Sequence, residues 1–257
     1  MLTSFIILFL LLICMSGYML FRAQYDHVRF HQITDHQYPS STPLNILFIS
    51  DIHNRVIKQE TLRSLTDVDL VIIGGDLVDR RTPLKKLKEN LSTLQSFGAP
   101  IFFVPGNNDH ELEGGDLISL LEKEEVKVLA NEDQKISLHG SDFLLSGLDP
   151  YFLKPRRRMK SAIHDTRSYQ ILCVHDPFVF ERMNREDRQK FRLILTGHTH
   201  GGQIRFLGIG PYKRGGMKLE GSQHFLISEG YGTSLVPLRL GTAAECHMIE
   251  ISGIDAL

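Results

Sequence analysis

Residues 70–79 read Leu-Val-Ile-Ile-Gly-Gly-Asp-Leu-Val-Asp, and this stretch decides the fold. An unbroken apolar run of four residues predicts a strand covered on both faces, because a half-exposed strand would alternate apolar and polar positions. Two glycines and an aspartate follow at once. The same grammar recurs on either side. NILFIS (45–50) runs into Asp51-Ile52-His53, and IFFVP (101–105) into Gly106-Asn107-Asn108-Asp109. YQILCV (169–174) ends in His175, and RLILT (192–196) in Gly197-His198-Thr199-His200-Gly201-Gly202. Further strands are expected at 143–147, 224–230 and 245–251. Helical patterns lie between the first strands, over 58–65, 83–97 and 117–125, the second with Leu84, Leu87, Leu91 and Leu94 on one stripe. The expected class is α/β, with β-rich layers at the centre and helices outside.

Five strands thus deliver Asp, Asn or His at their carboxyl ends, the edge where open α/β sheets bind ligands. One fragment alone means little. With 16 aspartates and 12 histidines in 257 residues, about 0.7 Asp-x-His matches arise by chance. Five fragments in order, each just past an apolar run, carry far more weight.

That order, D-x-H, G-D-x-x-D, G-N-x-D, a lone His, then G-H-x-H, resembles the calcineurin-like metallophosphoesterase family over residues 42–257. GHTHGGQI (197–204) and the tail GYGTSLVPLRLGTAAECHMIEI (230–251) look like its bacterial branch of membrane-associated or exported phosphohydrolases. The resemblance implies a four-layer α/β/β/α sandwich and a centre for two divalent metal ions. One ion would take Asp51, His53 and His200, the other Asn107, His175 and His198, with Asp76 bridging both. Asp76, Asn107 and His175 would then be the catalytic core. Carboxylate, amide oxygen and imidazole suit Mn, Fe or Zn, and the absence of thiolate argues against a purely structural zinc site. The implied chemistry is hydrolysis of a phosphodiester, phosphomonoester or pyrophosphate by a hydroxide bridging two ions about 3.5–4 Å apart. A lipid-linked or nucleotide substrate is compatible with it. Asp79 and Asp109 are expected to orient ligands or brace loops, and Arg80 to be a surface residue. One position departs from the commonest family pattern: Asn108 stands where many relatives carry a histidine credited with protonating the leaving group.

Outside this region, residues 5–21 (FIILFLLLICMSGYMLF) carry no charge and with their neutral flanks approach the roughly 30 Å of a bilayer core. Nothing basic precedes the run and no small-x-small site follows it, so an uncleaved single-pass anchor is expected rather than a signal peptide. Arg22 and Arg29 follow it, which favours a cytoplasmic catalytic domain. Residues 22–41 are polar without a sustained period and are expected to be a linker or short ordered arm. Residues 1–41 are therefore anchor and linker, and 42–257 the catalytic domain.

The net charge is −1, with 29 basic against 30 acidic residues, so no global field invites polymeric nucleic acid. Three cysteines, Cys14, Cys173 and Cys246, provide neither a disulfide framework nor a C-x-x-C pair. Lys154–Lys160 (KPRRRMK) is a dense basic stretch that reads as a solvated loop or as a patch for anionic lipid or phosphate. Two other functions compete with an enzyme: a non-catalytic metal-binding scaffold on the same fold, and a membrane-surface adaptor built on residues 154–160. The full set of expected ligands favours the enzyme.

Overall fold

A computed structural model describes residues 1–149 and 168–254, which leaves the Lys154–Lys160 stretch outside the described residues. The chain runs α1 (Leu2–Gln24), β1 (Asp26–Thr34), β2 (Leu44–Ile49), α2 (Gln59–Leu62), β3 (Leu70–Ile73), α3 (Leu84–Gln95) and β4 (Ile101–Phe103). It continues through α4 (Leu117–Lys123), β5 (Lys127–Val128), β6 (Glu132–Leu138), β7 (Ser141–Leu148) and β8 (Tyr169–Val174). Then come α5 (Pro177–Glu181), α6 (Arg185–Arg188), β9 (Leu193–Thr196), β10 (Gly216–Glu220), β11 (Gln223–Ile227) and β12 (Ala244–Ser252). The strands form two six-stranded mixed sheets, ordered β1-β12-β2-β3-β4-β5 and β10-β11-β9-β8-β7-β6.

The continuous apolar runs explain the layering. In β2, Leu47 and Ile49 face the helical side with Leu87, Leu91 and Leu121, whereas Ile46 and Phe48 face the second sheet. In β8, Ile171 and Cys173 face the first sheet, and Leu172 and Val174 pack with Phe180 and Phe191 on the outer side. Each central strand buries both faces, and the result is the α/β/β/α sandwich. Strands β2, β3 and β4 are mutually parallel, as are β7, β8 and β9. Their carboxyl ends consequently gather at shared edges.

The structure corrects part of the expected layout. Of the two options for residues 22–41, the ordered arm is the one formed: Asp26–Thr34 is a full edge strand paired in parallel with β12, from Asp26 opposite Ala244 to Thr34 opposite Ser252. The sheet therefore begins before residue 42. This strand is half exposed, with Ile33 its one buried residue, so its apolar content is too low to announce it. His31 in this strand places its Nε2 3.0 Å from Nδ1 of the buried His247. The helix expected over 58–65 shortens to the four residues of α2. Strands β5, β6 and β10, with mixed or short patterns, were not anticipated.

Helix α1 is long and apolar enough to cross a membrane by length and composition, a test that a signal sequence also passes. None of its most apolar window is buried, whereas Ala23 near its end is.

A buried clamp joins the two sheets. Asp35, just after β1, accepts from Arg192 Nε and Nη2, both at 2.8 Å, and from the Tyr169 hydroxyl at 3.2 Å. Burial would raise the Asp35 carboxyl, but the bonds from Arg192 and the Gln37 amide outweigh it and hold it below its usual range. Asp35→Ala, which strands a buried guanidinium, is expected to cost about 3–5 kcal/mol in chemical unfolding of the full chain in detergent. The sign of the pH dependence follows. The carboxylate's contribution is present above about pH 4 and lost as pH falls through the depressed folded value, so the variant should lose less stability on acidification than the wild type.

Candidate metal centre

The loops that follow β2, β3, β4, β8 and β9 converge, and they do so in unusual backbone. Asp51 (φ 54°), His53 (51°), Asp76 (49°), His198 (68°) and His200 (48°) all lie in the left-handed region. Each such non-glycine residue costs about 1–3 kcal/mol unless its surroundings hold it. Here they do. Asp51 N–H donates to Gly75 O (2.9 Å), His53 N–H to Asp76 O (3.0 Å), Gly197 N–H to His175 O (2.9 Å) and Gly232 N–H to Asp51 O (2.7 Å). Gly75 has φ 83°, and a Cβ there would sit 2.5 Å from His175 Nδ1, so no side chain fits between the two sheets at this point.

Asp109 braces the arrangement, as expected of it. Fully buried, its carboxyl accepts from the backbone N–H groups of Asp76 (2.8 Å), Gly106 (2.7 Å) and Val78 (3.1 Å). Burial, then the neighbouring Asp76 charge, push its pKa up to about 7 against the Gly106 and Val78 donors and the nearby His175. Asp79 Oδ2 lies 3.7 Å from His53 Nδ1 and also accepts from Arg81 Nε, while Oδ1 accepts from the Arg81 N–H and the Thr82 hydroxyl. Arg80 is exposed.

All seven residues singled out from the sequence meet. Asp51, His53 and His200 form one buried group, and Asp76, His175 and His198 a second; in each, the potential ligand atoms lie within 4.8 Å of one another. Asp76 links the two, with Oδ2 at 3.4 Å from His175 Nε2 and 3.8 Å from His53 Nε2. Asn107 joins through Oδ1, 3.2 Å from His175 Nε2. His175 donates through Nδ1 to Gly74 O (2.9 Å), which turns Nε2 toward the centre.

Electrostatics match this geometry. Burial would raise the Asp76 carboxyl, but His175, then His53 and the Asn108 N–H, hold it at about 2. Burial would lower His175, yet Asp76 and then Asp51 pull it up to about 10. Burial first, then the neighbouring His53 and Arg239, push His200 well below the usual imidazole range and keep its lone pair available.

These donors fit divalent cations. His53 Nε2 faces His200 Nε2 at 3.2 Å, and His175 Nε2 faces His198 Nδ1 at 3.2 Å. A proton between two such nitrogens satisfies one of them as donor and the other as acceptor, but leaves the nearby carboxylates uncompensated. His53 Nδ1 is also buried without a hydrogen-bond partner. The anionic field that draws a proton to His175 equally favours a cation. Two His/Asp clusters are therefore capable of coordinating metal ions.

A family model described as calcineurin-like phosphoesterase matches residues 44–202, which span every one of these groups. The chain belongs to that family. The protein YpbG of Bacillus subtilis (strain 168) is 38% identical over 243 residues, covering 93% of both chains. The metallophosphoesterase YkoQ of the same organism is 29% identical over 83% of this chain and 85% of its own. The phosphodiesterase YaeI of Escherichia coli (strain K12) is 28% identical over 82% and 83%.

Sequence reasoning missed one residue packed against this calcineurin-like centre. Arg239 is fully buried. Its Nη2 donates to the carbonyls of Glu229 (2.6 Å), Gly230 (3.0 Å) and Gly232 (2.7 Å), and stands 3.4 Å from His200 Nδ1. Burial lowers it to about 10, with Glu229 and Asp51 opposing, so it stays charged. A lone arginine inside the apolar run VPLRLG was the available signal.

Proposed function

We propose that this protein is a phosphoesterase dependent on two divalent ions and held at a membrane by its N-terminal helix, with the catalytic domain on the cytoplasmic side. Asp51, His53 and His200 would hold one ion, Asn107, His175 and His198 the other, and Asp76 both; Mn, Fe or Zn suits such oxygen and nitrogen donors. Bound there, the ions would supply Lewis-acid charge for the phosphoryl oxygens and lower the pKa of a bound water.

The chain's own residues do the positioning. Asp76 stays ionised at every neutral pH and places its charge between the two groups. The Gly74 carbonyl fixes His175 in one tautomer. Asn107 is held in place because its Nδ2 donates to Asn108 Oδ1 at 2.8 Å. Asn108 is an amide and provides no proton, so the leaving group departs without a side-chain acid at that position. The observation that carries the reading is the pair of buried His/Asp groups sharing one ionised carboxylate. A diesterase activity is the specific form favoured, and phosphodiesterase is the description YaeI bears.

The test is metal analysis of the purified full chain together with turnover of a chromogenic aryl phosphodiester. Two ions per chain with turnover abolished by chelation and restored by metal is the expected result. Two bound ions without turnover of any diester, monoester or pyrophosphate would make the protein a scaffold instead.

A further inference from the structure

Apolar side chains that a water-soluble surface would hide are concentrated beside the metal centre. Beyond α1, twelve large hydrophobic residues are exposed among the described residues, and seven of them lie on two loops. Ile204, Phe206, Leu207, Ile209 and Tyr212 stand on the loop that leaves the His200 turn, with Leu207 86% and Ile209 79% exposed. Leu235, at 85%, and Val236 stand on the other. The remaining five are scattered singly, as on any surface.

The two loops are one body. Gln203 Nε2 donates to Ser234 O (3.0 Å) and Val236 O (3.1 Å), and Ser234 N–H donates back to Gln203 Oε1 (2.8 Å). Arg205 N–H reaches Leu240 O at 2.8 Å, and Arg81 Nη1 reaches Leu235 O at 3.0 Å. So many bonds hold the apolar tips outward, where they gain nothing from the protein's own core.

The same body is joined to the apolar helix. Arg239 N–H donates to Met19 O (3.1 Å), and Arg22 Nη2 to Thr242 O (3.1 Å), so the last turns of α1 abut the chain a few residues from Leu235 and Val236. Charge agrees. Residues 203–219 contain Arg205, Lys213, Arg214 and Lys218 and no acid, and residues 231–244 contain no acid either; Arg214 is paired with the buried Glu229, which leaves Arg205, Lys213 and Lys218 as the net positive charge. Apolar tips among basic residues suit the boundary between acyl chains and anionic headgroups.

We infer that loops 204–212 and 235–236 are a second membrane contact that enters the boundary of the same bilayer as α1 and holds the mouth of the metal centre against its surface. The occupant of this surface is the lipid itself, and the substrate class this favours is a phosphate ester or anhydride carried on a lipid. The inference rests on the membrane reading of α1 proposed above, and its test separates the two.

The chain has no tryptophan, so single substitutions give unique probes. Full-length Leu207→Trp, Leu235→Trp, Phe9→Trp and Leu219→Trp are reconstituted in vesicles of phosphatidylcholine with a minority of phosphatidylglycerol, with and without lipid brominated high on the acyl chain. Phe9 lies inside α1. Leu219 is exposed near the β10–β11 turn, beside the start of β9 and so at the opposite end of that strand from His198. The expected result is a roughly twofold or greater loss of emission for the Leu207, Leu235 and Phe9 probes, and none for Leu219. Quenching at Phe9 with Leu207 and Leu235 as dark to bromine as Leu219 overturns the loop contact and leaves the anchor standing. No quenching at Phe9 removes the anchor and this inference with it. Emission from Leu207→Trp that is blue-shifted yet unquenched means a protein, a second copy or another partner, covers the loops, and overturns the inference. Equal quenching at Leu219 does the same, because the contact is then not specific to these loops. Phe206→Trp repeats the measurement should Leu207→Trp fail to fold.

Discussion

Asp76→Asn is expected to lose turnover by on the order of 10²–10³-fold or more, the scale on which a single preorganised electrostatic group acts, and to lose bound metal at the same time. The physical grounds are specific. Asp76 Oδ2 is the carboxylate oxygen near both His175 (3.4 Å) and His53 (3.8 Å), so its charge serves both groups. With the carboxyl held at about 2, the substitution removes a full negative charge throughout the neutral range. The fold should survive, because asparagine has the same shape and its Oδ1 can still accept the Asn108 N–H, now at 2.7 Å. The Asp76 backbone is fastened separately by Asp109. Metal content, rate and thermal melting measured on one preparation check this. A variant that melts normally, binds two ions and turns over at the wild-type rate would refute the shared-carboxylate assignment.

The second large effect concerns Asn108. Its Oδ1 accepts from Asn107 Nδ2 and its Nδ2 donates to Glu111 Oε1 at 3.1 Å, so the side chain serves as a strut within the loop. An amide cannot supply a proton near neutral pH, and general-acid catalysis is typically worth about 10²–10⁴-fold. The wild-type rate should therefore depend steeply on leaving-group pKa, with aryl phosphates and anhydrides favoured and simple alkyl esters poor. Asn108→His is expected to raise alkyl-ester hydrolysis by about 10²-fold while aryl-ester rates change little. The strut is lost in that variant, so a modest fall in aryl-ester rate would measure how far Asn107 depends on it. His110 is exposed on the short 3₁₀ turn Asp109–Glu111. A flat leaving-group dependence in the wild type that steepens in His110→Ala would transfer the acid role to His110.

Much of this was legible in the chain. NILFIS, LVIIG and IFFVP needed only their continuous apolar character to be recognised as strands covered on both faces, YQILCV and RLILT read as strands beside them, and the two packed sheets bear this out. Asp51, His53, Asp76, Asn107, His175, His198 and His200 all lie just past such runs. The resemblance of their motif order to the calcineurin-like metallophosphoesterases is what implied them as ligands, and the structure brings them together. What stayed hidden had weak local signatures. Strand β1 carries His27, Arg29 and His31, whose polar character disguises an edge strand that its long pairing with β12 stabilises. Its place in the sheet adds a strand ahead of residue 42.

Local periodicity and side-chain chemistry were enough for the layered α/β class, the Asp, Asn and His residues at the strand ends and the apolar N-terminal segment, while the ligand set came from the family resemblance. Only the tertiary structure decided what surrounds the donors. It set Asp109 under Asp76 and Gly106, buried Arg239 beside His200, and drove five of the seven candidates into left-handed backbone. It also gathered Phe206, Leu207, Ile209 and Leu235 onto one surface next to α1. Each of these joins residues distant along the chain. The energies that matter there, desolvation, paired charge and strain held by neighbours, depend on distance in space and leave no periodic trace in the chain.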